Sequence, residues 1–161
     1  MLVGPPGAGK TTVAALLGEA WGLAVRDTDQ DVEAAEGRSV SDIFVASGEP
    51  YFREREAAAV AAAVAEHDGV LALGGGAVLN PETRTLLEGH PVVFLSVGLA
   101  EAVKRVGLGT SRPLLLGNVR SQIKALLDER APIYASVAQL TVDTDGRAPD
   151  EVAREILEAL T

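Results

Sequence analysis

The first residues able to do chemistry form a glycine-rich run that ends in a lysine and a threonine. Residues 4–11 read Gly-Pro-Pro-Gly-Ala-Gly-Lys-Thr, which matches the phosphate-binding pattern G-x-x-x-x-G-K-[ST]. Glycine lets the backbone wrap closely around a polyphosphate, so that successive N–H groups point at its oxygens. Lys10 would supply positive charge to the β- and γ-phosphates, and the Thr11 hydroxyl can ligate Mg²⁺. A helix predicted over 12–21 would direct its positive end at the same anion.

Two carboxylates two residues apart are the next candidates. Asp27 and Asp29 follow the second predicted strand, and they share a face if the chain stays extended there. Beside a phosphate site, one carboxylate can organise the Mg²⁺ shell while the other hydrogen-bonds an acceptor hydroxyl and helps to remove its proton. The alternative is a pair of solvated loop aspartates, or a cap for the helix that follows.

Three arginines differ from the other basic residues in their local context. Arg53 lies at the start of a predicted helix, where a cation opposes the helix dipole unless it faces an anion. Arg130 ends another predicted helix, so it could either complement that dipole or grip a substrate carboxylate together with Arg53. Arg112 lies in the glycine-bearing insert 107–113. That insert predicts either a lid that closes over the transferring phosphate or an ordinary surface loop.

The elements that must position these side chains alternate between short apolar strands and helices, which predicts a parallel sheet covered on both faces. Ligands of such sheets bind beyond the carboxyl ends of the strands, where the candidate residues and Gly74-Gly75-Gly76 all fall. Only three residues precede the glycine-rich run, against about five in a usual strand. Either the first strand is short or the native start lies upstream.

The predicted strands are 1–3, 23–26, 70–73, 92–95 and 140–143, and the predicted helices are 12–21, 32–36, 41–46 (capped by Ser39 or Ser41), 51–66, 81–87, 99–106, 119–130 and 149–160.

Composition limits the class of protein. The 161 residues are 47% apolar, which fits one globular domain spanning 1–161. No apolar run reaches the ~18–20 residues of a membrane span, and the absence of cysteine excludes disulfides and thiolate chemistry. The net charge of −9 argues against nucleic acid as the main partner. We therefore expect a cytoplasmic protein whose cations are concentrated in one cleft. His67 and His90 have no evident partner and are assigned no role.

With these residues assembled, the chain resembles the bacterial shikimate kinases over nearly its whole length. The P-loop alone is shared with many nucleotide-binding proteins, whereas its combination with the later motifs is far more specific. The segments that carry the resemblance are residues 4–11, Asp-Thr-Asp at 27–29, Gly-Arg-Ser at 37–39, Asp-Ile-Phe at 42–44, Gly-Glu at 48–49, Phe-Arg at 52–53, Leu-Gly-Gly-Gly-Ala-Val at 73–78, Arg-Pro-Leu-Leu at 112–115 and Arg-Ala-Pro-Ile-Tyr at 130–134.

The resemblance implies a three-layer P-loop NTPase fold, a central parallel sheet flanked by helices. It also implies ATP-dependent phosphorylation of the 3-hydroxyl of shikimate by a monomer, with Mg²⁺ as cofactor. A substrate-binding segment would lie near 28–57 and a lid near 107–118. The implied nucleotide-binding residues are Gly7, Ala8, Gly9, Lys10, Thr11, Thr12, Arg112 and Arg147, and the implied substrate-binding residues are Asp29, Arg53, Gly75 and Arg130.

Within that set, the resemblance implies catalytic roles for Lys10, Asp29 and Arg112, with Asp29 as the candidate base. Thr11 would ligate Mg²⁺ directly and Asp27 through water, and Arg105 would assist from the base of the lid. Ala148 departs from relatives that offer a polar residue near the adenine.

Two other classes of function share the P-loop. A gluconate kinase or nucleoside monophosphate kinase would keep residues 4–11, but the two-arginine clamp favours a small hydroxy acid as acceptor. A binding module without turnover would be expected to have lost Lys10, Asp29 or Arg112, and all three are present.

Overall fold

The computed structural model of the chain describes residues 1–107 and 119–160. In this part of the chain the strands form one sheet with the order β2-β3-β1-β4-β5, and every neighbouring pair is parallel. The central strand is β1, so the glycine-rich loop that follows it opens in the middle of the carboxyl edge. The strands are β1 Leu2–Val3, β2 Val25–Asp27, β3 Val70–Ala72, β4 Val93–Ser96 and β5 Leu140–Asp143.

Helices cover both faces of this sheet. Leu2 packs in one core cluster with residues of α1, α6, α7 and α8, whereas Val3 packs in another with residues of α4, α5 and α7. The predicted three-layer α/β fold with a parallel sheet is therefore confirmed. The helices are α1 Lys10–Trp21, α2 Thr28–Glu36, α3 Val40–Ser47, α4 Glu49–Glu66, α5 Pro81–Leu87, α6 Leu99–Gly107, α7 Val119–Val137 and α8 Pro149–Leu160, and a short 3₁₀ helix spans Ala77–Leu79.

A third, smaller cluster joins the helices that lie between β2 and β3 in the chain. Val32 of α2, Ile43 of α3 and Phe52 of α4 are buried together. The phenyl rings of Phe44 and Phe52 lie 4.9 Å apart between centroids. Ser39 caps α3 by accepting a hydrogen bond from the Asp42 amide at 3.1 Å. This cluster holds the first turns of α2 and α4 in fixed positions beside the carboxyl edge of the sheet.

The helix predicted to end at Arg130 runs on to Val137, so that prediction was wrong. Pro132 lies inside α7, although an interior proline costs a helix about 3 kcal/mol because it removes one backbone hydrogen bond. The turns after the proline bury Tyr134 against Phe94 of β4, with ring centroids 5.1 Å apart. Burial of such an aromatic side chain is worth a comparable amount, so packing overrides the local preference to stop.

Candidate active site

The glycine-rich loop forms a tight turn before α1. The Ala8 amide donates to the Pro5 carbonyl oxygen at 3.2 Å, and Gly7 at the third position of this turn has a φ of 84°. A proline followed by a residue with positive φ is the pattern of a type II turn. Gly9 has a φ of 90° and caps α1, which begins at Lys10. The predicted sequence of strand, loop and helix is thus present.

Lys10 lies across the mouth of this loop. Its Nζ donates to the carbonyl oxygens of Gly4 at 2.7 Å and Pro5 at 3.1 Å. These two bonds hold the ammonium group beside the loop backbone, close to the first turn of α1. A cation in this position, together with the positive end of the helix, makes the loop a site for phosphate groups.

Asp27 links the P-loop helix to the next helix. Its Oδ2 accepts from the Thr11 hydroxyl at 3.0 Å. Its Oδ1 accepts from the amides of Asp29 at 2.9 Å and Gln30 at 3.2 Å, so Asp27 caps α2. The sequence predicts that Asp27 and Asp29 share a face if the chain stays extended. The chain is not extended through Asp29, because α2 starts at Thr28. Capping, which the sequence left as an alternative, occurs together with proximity to Thr11.

The three glycines after β3 allow charged side chains to lie flat against the backbone. A Cβ on Gly74 would come within 2.5 Å of Asp29 Oδ1 and 2.7 Å of Glu56 Oε2, and one on Gly76 would overlap the guanidinium of Arg53. The Gly74 amide donates to Thr28 Oγ1 at 3.0 Å, and the Gly75 carbonyl accepts from the Tyr134 hydroxyl at 2.5 Å. Hydrogen bonds from α2 and α7 therefore fix this backbone.

Arg53 lies in the second turn of α4 rather than at its start, because the helix already begins at Glu49. Its Nη1 donates to Glu56 Oε1 at 2.8 Å, and its Nε lies 3.8 Å from Glu49 Oε1. Glu56 is only 3% exposed. Burial raises the pKa of the Glu56 carboxyl, and the charge of Arg53 opposes that rise. Among the described residues Glu56 Oε2 has no hydrogen-bond partner.

Arg130 lies mid-helix in α7 and is 8% exposed. The interpretation as a helix-terminal cation is therefore wrong, since seven further residues of α7 follow it. Its Nε is buried and makes no hydrogen bond within the described part of the chain. The neighbouring hydroxyl of Tyr134 has a pKa raised by burial, which the charge of Arg130 opposes. A buried guanidinium group with spare donors is suited to hold an anion.

Two cavities adjoin at the carboxyl edge of the sheet. We call them the phosphate cavity and the acceptor cavity, and Pro6, Asp29 and Gly75 line both. Asp29 therefore lies on the boundary between the P-loop and the arginine-bearing cavity. The phosphate cavity is lined by Pro6, Gly7, Gly9, Lys10, Thr11, Thr12, Asp27, Asp29, Leu73 and Gly75, and the acceptor cavity by Pro6, Asp29, Phe44, Phe52, Arg53, Glu56, Gly75, Gly76, Leu126 and Arg130.

Of the remaining predicted residues, Arg147 and Arg105 lie within the described ranges and Arg112 lies outside them. Arg147, just after β5, donates to the carbonyl oxygens of Asp143 at 2.9 Å and Glu151 at 3.3 Å. Arg105 of α6 donates from Nη1 to the Gly7 carbonyl at 3.0 Å. Arg112 and most of the predicted lid at 107–118 fall outside the described residues.

Three residues of this site were given no role from sequence. Glu56 anchors Arg53, Thr28 accepts from Gly74, and the Tyr134 hydroxyl holds Gly75. A signal existed for Glu56, because it stands three positions after Arg53 on a predicted helix, where side chains meet. The bonds to the glycines join residues 46 and 59 positions apart, and no local pattern reports such pairs.

The donor set at Thr11 and Asp27 fits Mg²⁺. A hydroxyl and a carboxylate oxygen are hard ligands of the kind this ion prefers beside substrate phosphates, and the two groups already lie 3.0 Å apart. Across residues 1–107 and 119–160, no helix is both long and apolar enough to cross a membrane.

Comparison with known proteins gives a consistent result. The shikimate kinase family model matches residues 6–161. A shikimate kinase of Streptomyces avermitilis is 57% identical over 99% of this chain and 94% of its own length, and one of Mycobacterium bovis is 49% identical over 99% and 92%.

Solved structures agree with these relatives. The shikimate kinase of Acinetobacter baumannii in complex with shikimate superposes with a TM-score of 0.94 at 35% identity, covering 99% of this chain and 90% of that one. The shikimate kinase of Aquifex aeolicus gives a TM-score of 0.86 at 31% identity, covering 99% and 94%. The family match, the relatives and the superposed structures together establish that the chain belongs to the shikimate kinase family.

Proposed function

We propose that this chain transfers the γ-phosphoryl group of ATP to the 3-hydroxyl of shikimate, giving shikimate 3-phosphate and ADP for aromatic amino-acid biosynthesis. The observation that carries the proposal is the position of Asp29, which lines both the phosphate cavity and the acceptor cavity. A base at that boundary can reach the acceptor hydroxyl while the donor phosphate lies on its other side. Membership of the family and the shikimate-bound relative support the choice of acceptor.

At the donor end, the loop from Gly7 to Thr12 would bind the phosphates through its amides, and Lys10 would neutralise their charge. Thr11 would hold Mg²⁺ directly and Asp27 through a water molecule. When bound, the ion supplies positive charge to the phosphate oxygens. The hydrogen bond between Thr11 and Asp27 keeps these two ligands together before the nucleotide arrives.

At the acceptor end, Arg53 and Arg130 would bind the carboxylate of shikimate, with the Gly75 backbone beside it. Glu56 holds the Arg53 guanidinium in place, so less conformational entropy is lost when the acid binds. Asp29 would orient the 3-hydroxyl and accept its proton. Phosphoryl transfer demands chiefly such positioning and charge neutralisation from the protein.

The proposal also covers the lid, the adenine end and the extent of the substrate-binding segment. Arg112 would act from a lid near 107–118, Arg147 would lie near the adenine, and residues 28–57 would form the substrate-binding segment of a single domain. We also propose a cytoplasmic monomer without a nucleic-acid partner, which the net charge of −9 supports.

The test is a coupled assay of ADP release with Mg·ATP, in which shikimate is compared with gluconate and a panel of nucleoside monophosphates. ADP release that requires shikimate would support the proposal. Release with another acceptor would overturn the substrate, and shikimate binding without ADP release would indicate a binding module instead of an enzyme.

A further inference from the structure

One polar connection, through Arg105, links the P-loop to Thr144 at the end of β5, and the function proposed above gives Thr144 no role. Arg105 of α6 donates from Nη1 to the Gly7 carbonyl at 3.0 Å and to Thr144 Oγ1 at 3.1 Å. Its Nη2 donates to the Thr144 carbonyl at 3.0 Å, and its Nε donates to Glu101 Oε1 at 3.1 Å. Acceptors on three sides therefore hold the guanidinium in one orientation.

Thr144 is itself fixed to the sheet. It is 3% exposed, and both its amide and its hydroxyl donate to the Ser96 carbonyl, at 2.9 and 2.8 Å. Because the hydroxyl donates to Ser96, its oxygen lone pairs are left to accept from Arg105. The connection thus runs from the ends of β4 and β5 through Thr144 and Arg105 to the P-loop.

The peptide group held at the end of this connection matters for phosphate binding. Gly7 is the third residue of the loop turn, where its carbonyl points away from the turn hydrogen bond between Ala8 and Pro5. This carbonyl belongs to the same peptide group as the Ala8 amide, which closes the loop turn on Pro5 at 3.2 Å. A flip of this peptide would break the turn that precedes the amides of the first turn of α1, which would bind the phosphates. Gly7 has a φ of 84° and no side chain to resist such a flip. Arg105 holds this peptide from its carbonyl side, and the turn hydrogen bond of Ala8 holds it from its amide side.

We propose that Thr144 is a positioning residue for nucleotide binding, acting through Arg105 on the Gly7 carbonyl. The inference rests on the proposed function in that the P-loop must bind a nucleotide, but it does not depend on which acceptor is phosphorylated. Thr144 would affect the donor end alone, since it does not line the acceptor cavity.

The test measures Mg·ADP affinity by calorimetry in Thr144→Val, which replaces the hydroxyl with a methyl of nearly the same size. We expect the Kd for Mg·ADP to rise about three- to tenfold, as for the loss of one hydrogen bond, with the Kd for shikimate within about twofold of the original. Thr144→Ser keeps the hydroxyl and should restore nucleotide affinity. Thr83→Val makes the same atomic change at a buried threonine of α5 and serves as the control for packing.

A double-mutant cycle identifies the route. In Arg105→Ala, adding Thr144→Val should weaken nucleotide binding no further, since coupled residues are not additive. Unchanged nucleotide affinity in Thr144→Val, additive effects in the double variant, or an equal loss of affinity for both ligands would each overturn the proposal. If Thr144→Val does not fold, Thr144→Ala removes the same hydroxyl with a smaller side chain and provides the same readout. ADP release by the unsubstituted enzyme is measured separately, so failure of the proposed function is distinguishable from failure of this inference.

Discussion

At the scale of single residues, the carboxylates of Asp27 and Asp29 differ in their surroundings. Asp27 uses both oxygens on groups of the protein, one on Thr11 and one on the amides of α2. Asp29 lies where the two cavities meet. Asp27 is therefore suited to organise the donor end, and Asp29 is suited to act on the acceptor.

Replacing Asp29 tests this division. Asp29→Asn keeps the shape of the side chain but removes its basicity, so we expect kcat to fall by about 10²–10⁴-fold. The Kd for Mg·ADP should change less than about threefold, because the phosphates are bound by the loop and Lys10. Steady-state kinetics combined with calorimetry on the same preparation measure both quantities. Turnover close to that of the original enzyme would mean that Asp29 is not the base.

The buried Glu56 predicts a pH dependence of stability. Its pKa is raised above the ordinary value of 4.5 by burial, so the carboxyl binds its proton more tightly in the folded state than in the unfolded state. Stability from this group is fully present below the unfolded pKa and is lost as the pH rises through the higher folded pKa. Glu56→Gln removes this titration. The free energy of unfolding of the variant relative to the original should therefore increase as the pH rises from about 4 towards neutrality.

Urea unfolding of both proteins at a series of pH values measures this difference. A constant difference across the pH range would show that Glu56 does not carry the shift. In the same variant the KM for shikimate should rise, because Arg53 loses the charged partner that orients it at 2.8 Å.

At the scale of elements, α7 depends on packing more than on helix propensity. Pro132 interrupts its backbone hydrogen bonding, yet Tyr134 and Val137 beyond it pack against the sheet. The helix must continue past the proline to place the Tyr134 hydroxyl on the Gly75 carbonyl. The backbone of Gly75 is thus supported by a segment that lies beyond the predicted end of the helix.

Pro132→Ala should stabilise the protein. The substitution restores an amide donor in an exposed helical position and removes the ring that crowds the preceding turn, so we expect a gain of about 1–2 kcal/mol in the free energy of unfolding. Pro149→Ala is the matched control, since proline is tolerated at the first position of α8. Chemical denaturation measures both variants. Destabilisation by Pro132→Ala would mean that the local geometry of α7 requires the proline.

The elements also define how far the sequence could predict this structure. Alternating apolar runs and the glycine-lysine motif specified the parallel sheet, the loop and α1, because those signals are local. The start of α2 at Thr28 had a local signal, because Asp27 caps the helix through the amides two and three residues on. The continuation of α7 past Pro132 was not predictable, since it depends on the packing of Tyr134 against Phe94, which lies far away in the chain.

At the scale of the whole molecule, an acidic chain with a net charge of −9 gathers two arginines in one cavity, where we propose that they bind an anionic acceptor. They come from helices far apart in the sequence, Arg53 from α4 and Arg130 from α7. Binding of the acceptor would therefore connect two helices that are distant in the sequence. Ligand binding should then stabilise the molecule as a whole.

Arg130→Ala tests that expectation. Shikimate at about 100 times its Kd should stabilise the original protein by about 2.7 kcal/mol, which a thermal shift assay detects as a higher Tm. In Arg130→Ala the shift at the same shikimate concentration should largely disappear, whereas the shift caused by Mg·ADP should remain. If Arg130→Ala instead lost only the Tm shift caused by Mg·ADP, Arg130 would bind the nucleotide and not the carboxylate of shikimate.

The two sets of hydrogen bonds that Asp27 accepts also link the donor end of the site to its acceptor end. One of its oxygens holds the hydroxyl of Thr11 and the other holds the amide of Asp29. A single carboxylate with one hydrogen bond on each oxygen thus separates Thr11, on the donor side, from the amide of Asp29, on the acceptor side. A movement of α1 at Thr11 would therefore be passed directly to the first turn of α2, where Asp29 lies.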